Sequence, residues 1–347
     1  PPPPPFFFPP DHGTRDPLWS RGLGDVYKRQ KVCDDGPGFS EDILNVLGEP
    51  YIRSKNKTIS LNYRIFHSQQ LLSNWMIAKS KFDIFTGIGR NSSSGIVEVD
   101  YVDDITLRND WTLFISEDHQ FNFGLEYKNL DFNYDSSDNG ETVFYLQQSP
   151  IESAVYAKHK FLTNKFLIQP GIRLNYFSNL NKKMYLDPRL QLKYFINDSR
   201  YLNFSIGQYH QFISILQDDF NPSVIDAWFA TDQSVKPGSS QQITIGIEDY
   251  RDNDIYIQCE AYYKKLNNML TFVNKASTVY PGTEYQTYNV LDSLADMSNG
   301  YAYGFEIFAQ KKTGRLNGWV NYTFSIARKL FNDQEYYTNW DRTHVFN

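Results

Sequence analysis

The chain has 347 residues and a formal net charge of −6, so it has no basic excess of the kind that marks nucleic-acid binding. Aromatic residues make up 16% of it, with 25 Tyr and 26 Phe, yet its mean hydropathy is negative. No run reaches the roughly 18 apolar residues of a spanning helix, and the two cysteines suggest neither a disulfide framework nor a metal site. High aromatic content at low hydropathy fits many half-buried strands in which every second residue is polar. There is no charged start followed by an apolar signal core, so an exported protein is expected to be truncated at this N-terminus.

The chain opens on PPPPPFFFPP, which holds seven of its 16 prolines and is compatible with a polyproline linker. The next stretch is RGLGDVYKRQ, and its Asp25-Val26-Tyr27-Lys28-Arg29-Gln30 resembles the translation of a transposon-end adapter used to prepare sequencing libraries. Residues 1–30 are therefore expected to be foreign to the fold, or else a disordered tail, and to carry no chemistry.

Residues 31–57, KVCDDGPGFSEDILNVLGEPYIRSKNK, set Asp34 ahead of two backbone-permissive glycines, Gly36 and Gly38. Such a loop can approach a purine closely while its carboxylate accepts a hydrogen bond from the amino group. The stretch resembles the first glycine box of sensor histidine kinases, and LGEPYIRSKNK extends that resemblance. It implies nucleotide contact by Asp34, Gly36 and Gly38, with Asp34 against adenine. The family also has an upstream helix that supplies Asn to a metal and a second glycine-rich stretch downstream. Here ISLNYRIFHSQQ comes after Thr58 without a glycine, and a 27-residue segment cannot bury a core of its own. The segment is expected to be a truncated kinase-like fragment, disordered or helical, joined artificially near Lys57 to the rest of the chain. ATP binding is the alternative function that it raises.

From about residue 60 the pattern is period two. In HQFNFGLEY, Phe121, Phe123, Leu125 and Tyr127 alternate with Asn122, Gly124, Glu126 and Lys128. The same holds for Leu190, Leu192 and Tyr194, for Leu202, Phe204 and Ile206, for Ile243, Ile245 and Ile247, and for Val320, Tyr322, Phe324 and Ile326. A soluble sandwich and an outer-membrane barrel both satisfy this alternation. The segments run to a dozen residues or more, as tilted membrane strands require. Short turns are expected at SEDH (116–119), LTNK (162–165), INDS (196–199), YRDND (250–254) and KKTGRLN (311–317). Longer loops are expected near 90–97, 135–146, 214–237, 275–299 and 331–340. Short turns on one rim and long loops on the other point to the transmembrane barrel.

With the strands laid out, YLDPRLQLKYFINDSRYLNFSIGQYHQ (185–211), the stretch from KPGSSQQITIGIEDY to IYIQCEAYYKKLNNML (236–270), GYAYGFEIFAQKKTGRLNGWVNYTFSIARKLF (300–331) and WDRTHVFN (340–347) resemble the barrel of TonB-dependent outer-membrane receptors. Lys236-Pro237-Gly238-Ser239 departs from the Pro-Glu-Arg-Ser lead-in that such receptors often show. The resemblance covers residues 58–347. It implies an all-β fold, an antiparallel barrel of roughly 22 strands, of which this chain is expected to supply about 11–13. It also implies a location in the outer membrane of a Gram-negative bacterium, in contact with its lipid. Import would be driven through the TonB complex by way of an N-terminal plug that is expected to be missing here. The solute would be a siderophore, vitamin, peptide or glycan, and nucleic acid is not among the partners. A passive porin or adhesin-type barrel is the other reading.

Aromatic residues of the longer loops, Trp228, Phe229, Tyr280 and Tyr285, are candidates for stacking on a solute ring. Wall residues such as Arg189, Lys193, Glu126, Glu248, Glu260 and Glu306 more often hydrate and cross-link a barrel interior than bind a solute. His119, His159 and His210 fall on separate strands with no close spacing for a metal. No catalytic arrangement is readable and no cofactor is implied.

Overall fold

The computed structural model describes residues 51–91, 94–138, 140–217, 226–233, 235–251, 254–272, 295–338 and 341–347. The adapter-like segment, most of the kinase-like segment and the Asp34-x-Gly36-x-Gly38 loop lie outside the described residues. The alternating segments form strands β1 (Tyr51–Phe66), β2 (Leu71–Asn91), β3 (Ser94–Phe114), β4 (His119–Asp138), β5 (Glu141–Gln148), β6 (Ile151–Leu162), β7 (Phe166–Phe177), β8 (Met184–Phe195) and β9 (Arg200–Gln211). They continue as β10 (Ile213–Gln217), β11 (Asp226–Ala230), β12 (Gly238–Arg251), β13 (Ile255–Phe272), β14 (Ala295–Lys311), β15 (Gly318–Phe331), β16 (Gln334–Tyr337) and β17 (His344–Phe346).

One antiparallel sheet runs β1-β2-β3-β4-β6-β7-β8-β9-β12-β13-β14-β15-β16, with β5 on β4 and β17 on β15. Apart from the β5 and β10–β11 excursions and β17, which returns to β15, every strand pairs with its sequence neighbour, so the sheet is an up-and-down meander. Twelve strands on this path, all but β16, have 12 residues or more. That length suits a tilted crossing of a bilayer.

The short turns gather on one rim at residues 67–70, 115–118, 163–165, 196–199 and 312–317, where the link from Arg251 to Ile255 also lies. Side chains close several of them. Ser68 Oγ accepts from the amides of Gln70 and Leu71 at 3.2 and 3.1 Å. Thr163 Oγ1 accepts from Phe166 N at 2.9 Å, and Asn197 Oδ1 from Arg200 N at 2.9 Å. These are the local turns that Ser, Thr and Asn favour. The turn at 67–70, HSQQ, escaped the sequence reading because Ser68 is its only turn-favouring residue.

Three expected loops on the opposite rim prove to be strand hairpins. β2 and β3 stay paired out to Asn91↔Ser94, and β5 folds back on β4 from Asp138↔Glu141. β15 returns as β16 through Asn332 (φ 51°) and Asp333 (φ 60°), two left-handed positions that a two-residue hairpin demands and Asn and Asp tolerate. Beyond a bilayer both faces of a strand meet water, so no apolar alternation marks it in the sequence. β1 likewise runs through Lys57 to Tyr51, with its ladder to β2 unbroken from Phe66↔Leu72 to Tyr51↔Gly87. The strand thus crosses the position where a join was expected.

Burial is inverted relative to a water-soluble sheet. Large apolar side chains are exposed, with Leu125 at 56%, Val155 at 55% and Ile245 at 60%. Polar side chains on the other face are buried, including Glu98, Asp100, Asn175 and Asp187. Register carries the apolar row from strand to strand through Leu125↔Val155, Val155↔Leu174, Leu174↔Leu186 and Ile206↔Ile243. The compact apolar cluster of Leu130, Phe132, Phe177, Leu180, Phe212 and Ala230 sits on the polar face, toward the long-loop rim.

Candidate functional site

Glu126 and Lys128 alternate with the exposed Leu125 and Tyr127 and therefore lie on the polar face of β4. Register brings residues of neighbouring strands beside them. Arg173 of β7 donates from Nη2 to Glu126 Oε1 at 2.7 Å, and Lys128 Nζ lies 3.5 Å from Glu126 and 3.7 Å from Glu152. On the other flank Arg108 Nε is 2.8 Å from Asp110 Oδ2, and the Tyr156 hydroxyl bonds Asp110. The Arg173 guanidinium lies over the Tyr156 ring, 5.3 Å from its centroid. Cations and carboxylates are interleaved across β3, β4, β6 and β7.

The network continues toward the long-loop rim. Arg173 Nε donates to Asn175 Oδ1 at 2.7 Å, and Asn175 Nδ2 donates to Asp187 Oδ2 at 2.8 Å. Asp187 Oδ1 lies 2.6 Å from His210 Nδ1, and the carboxylate can only accept, so Nδ1 carries the proton. The β8–β9 ladder ends at Arg189↔Gly207, which lets His210 settle beside Asp187. Phe212, two residues on, stacks on Phe177 at 4.9 Å and belongs to the apolar cluster. A continuous chain of contacts thus runs from the wall to the root of the β10–β11 hairpin.

That hairpin is docked on the polar face. Trp228 N donates to Asp100 Oδ2 at 2.9 Å and Ala230 N to Gln148 Oε1 at 2.8 Å, while Thr231 Oγ1 closes the hairpin's own root on Phe212 O at 3.0 Å. Phe229 is 1% exposed, so in this conformation its ring is an anchor and offers no face to a solute. Trp228 packs against the same cluster but is only partly buried. Tyr280 and Tyr285 lie outside the described residues.

The remaining wall residues form smaller groups. Lys193 Nζ is 3.1 Å from Glu248 Oε1, to which Asn203 also donates at 2.5 Å. Arg189 lies over the Tyr209 ring at 4.4 Å. Glu260 and Glu306 are direct cross-strand neighbours. Among the described residues no group of three or more His, Cys, Asp or Glu could hold a metal ion. The histidines correct the sequence reading in one respect. His119 and His159 are not apart, since register sets Phe121↔His159 and His119↔Phe161 and the two imidazoles meet at 3.1 Å. Neither this pair nor the Asp187–His210 contact has a sequence signature, because each depends on strand register.

Solved structures share this architecture. The pyoverdine outer membrane receptor FpvA from Pseudomonas aeruginosa PAO1 superposes with a TM-score of 0.61 at 13% identity, covering 85% of this chain and 47% of that one. The ferric yersiniabactin uptake receptor FyuA from Yersinia pestis gives 0.58 at 13%, covering 86% and 46%. The FrpB iron transporter from Neisseria meningitidis gives 0.59 at 11%, covering 81% and 45%. The chain spans less than half the length of these proteins, and at such identity the likeness is one of fold. No curated protein matches. The family model described as TonB dependent receptor-like, beta-barrel matches residues 7–344. The chain therefore belongs to the family of TonB-dependent receptor-like β-barrels.

Proposed function

We propose that the chain is part of an outer-membrane receptor that takes up a solute in a TonB-coupled step. The observation that carries this is the inverted burial. An exposed apolar face suits lipid, and the opposite face is a charged, hydrogen-bonded wall onto which a long-rim hairpin folds. The solute class proposed first is a ferric chelate, by analogy with the pyoverdine and ferric yersiniabactin receptors. Vitamins, peptides and glycans are the other classes to be screened. The solute enters at the long-loop rim, where Trp228, Tyr280 and Tyr285 supply ring faces and Phe229 seats the hairpin that carries Trp228.

The test is uptake of labelled ferric chelates by cells expressing the parent protein, with and without a functional TonB. Uptake that requires TonB supports the reading, and uptake that is indifferent to TonB overturns it in favour of a passive pore. We infer separately, on resemblance alone, that residues 1–30 and 31–57 have a different coding origin and that Asp34, Gly36 and Gly38 are vestigial. The passage of β1 through Lys57 and the family match from residue 7 weigh toward continuity. Unbroken genomic reads across Lys57–Ile59 would remove the join.

A further inference from the structure

The short-turn rim carries a band of rings on the apolar face. Trp111 stacks on Phe123 (6.1 Å), Phe123 meets Phe121 at a tilt (5.7 Å), and Phe121 meets His159 at a steeper one (6.4 Å). His159 then meets His119 (5.2 Å), which stacks on Phe161 (4.5 Å). Such a band is where a barrel wall passes from lipid to water. Within it the two imidazoles turn their nitrogens toward each other, with His119 Nδ1 3.1 Å from His159 Nε2.

We propose that His119 and His159 form a two-imidazole chelate for a divalent transition-metal ion of the copper or zinc class. An ion with metal–nitrogen bonds of roughly 2.0–2.1 Å and adjacent ligands at square-planar or tetrahedral angles holds two nitrogens roughly 2.9–3.4 Å apart. The observed separation lies inside that range. Both imidazoles are only partly buried, beside the exposed turn 115–118, so waters can complete the coordination shell. The pair lies on adjacent strands of a continuous ladder, which holds it in place before an ion arrives. In the absence of metal one of the facing nitrogens must carry a proton for the other to accept. Uptake of an ion requires that proton to move to the ring's other nitrogen, which leaves both facing lone pairs free. This inference rests on the rim alone and not on what the barrel transports.

The probe is Cu(II), titrated into the full chain in lipid vesicles and read by calorimetry and by electron paramagnetic resonance. Three variants accompany it: His119→Phe, His159→Phe and both together. Phenylalanine suits these positions, which are already flanked by Phe121 and Phe161, and near-unchanged circular dichroism confirms that each variant folds. The expected result is one Cu(II) with coupling to two nitrogens. Either single replacement should weaken binding at least tenfold, and the double replacement should do no further harm. Equal binding by the wild type and the double variant would overturn the proposal. So would two single replacements that each remove an independent share, because a chelate requires both rings at once.

Discussion

Gly124 shows how one residue supports the wall. A Cβ placed there would come within 2.6 Å of the Tyr156 ring and 2.7 Å of Asn109 O, and the carbonyl belongs to a paired strand that cannot yield. Gly124→Ala is therefore expected to push Tyr156 off Arg108 and Asp110 and to destabilise the barrel by about 1–3 kcal/mol. A guanidinium unfolding midpoint measured in vesicles reads that loss, and an unchanged midpoint would mean that the ring has room to spare. Arg173 joins three wall residues at once, pairing with Glu126 and Asn175 and covering Tyr156. Replacing it with Met leaves Glu126 and Asn175 short of a partner in a largely buried place. The expected cost is about 2 kcal/mol, less than for a fully buried pair because water still reaches Arg173 and Glu126. A double variant, Arg173→Met with Glu126→Gln, should recover part of that loss in the same assay. Alternation made Glu126 legible in the sequence as a wall residue. Its partner was not legible, because Arg173 lies 47 positions away and only the ladders β4–β6 and β6–β7 bring the two together.

At the scale of elements, two contacts across connections are open to test. Phe229 is almost fully buried in the β10–β11 hairpin. Phe229→Ala should loosen β10 and β11, raising their amide exchange at least tenfold while leaving the β12–β13 ladder unchanged. Uniform exchange in both would show that the hairpin is not an independent unit. On the opposite rim Asp254 accepts from Thr313 N at 2.7 Å and from Thr313 Oγ1 at 2.6 Å, tying the start of β13 to turn 312–317. The Thr313 hydroxyl, seconded by its amide, stabilises the carboxylate and holds its pKa below the ordinary Asp range. A lowered native pKa contributes stability that is complete above the unfolded-state value. That contribution disappears as the pH falls through the native one. Protection of the Thr313 amide should accordingly be flat at neutral pH and fall in acid, and Asp254→Ala should show the acid level throughout. Turns closed by Thr163 or Asn197 were legible because those residues favour turns by their own chemistry. The extended hairpins of β2–β3, β4–β5 and β15–β16 were read as loops because a strand wet on both faces loses the period-two signal.

For the molecule as a whole, the meander and its two unlike rims were visible in the sequence, and the hairpin docked on the polar face was not. Docking depends on Phe212, Trp228 and Ala230 meeting Phe132 and Phe177 of distant strands, and nothing local announces that meeting. The central claim is that the apolar row faces lipid and the charged row faces water. Nitroxide scanning tests it most directly, with labels placed one at a time along residues 123–128 and 243–248 in vesicles. Oxygen accessibility should peak at 123, 125, 127, 243, 245 and 247. A water-soluble nickel chelate should reach the intervening positions better. Loss of that alternation, or its reversal with Leu125 and Ile245 shielded from both reagents inside a water-soluble body, would contradict the account.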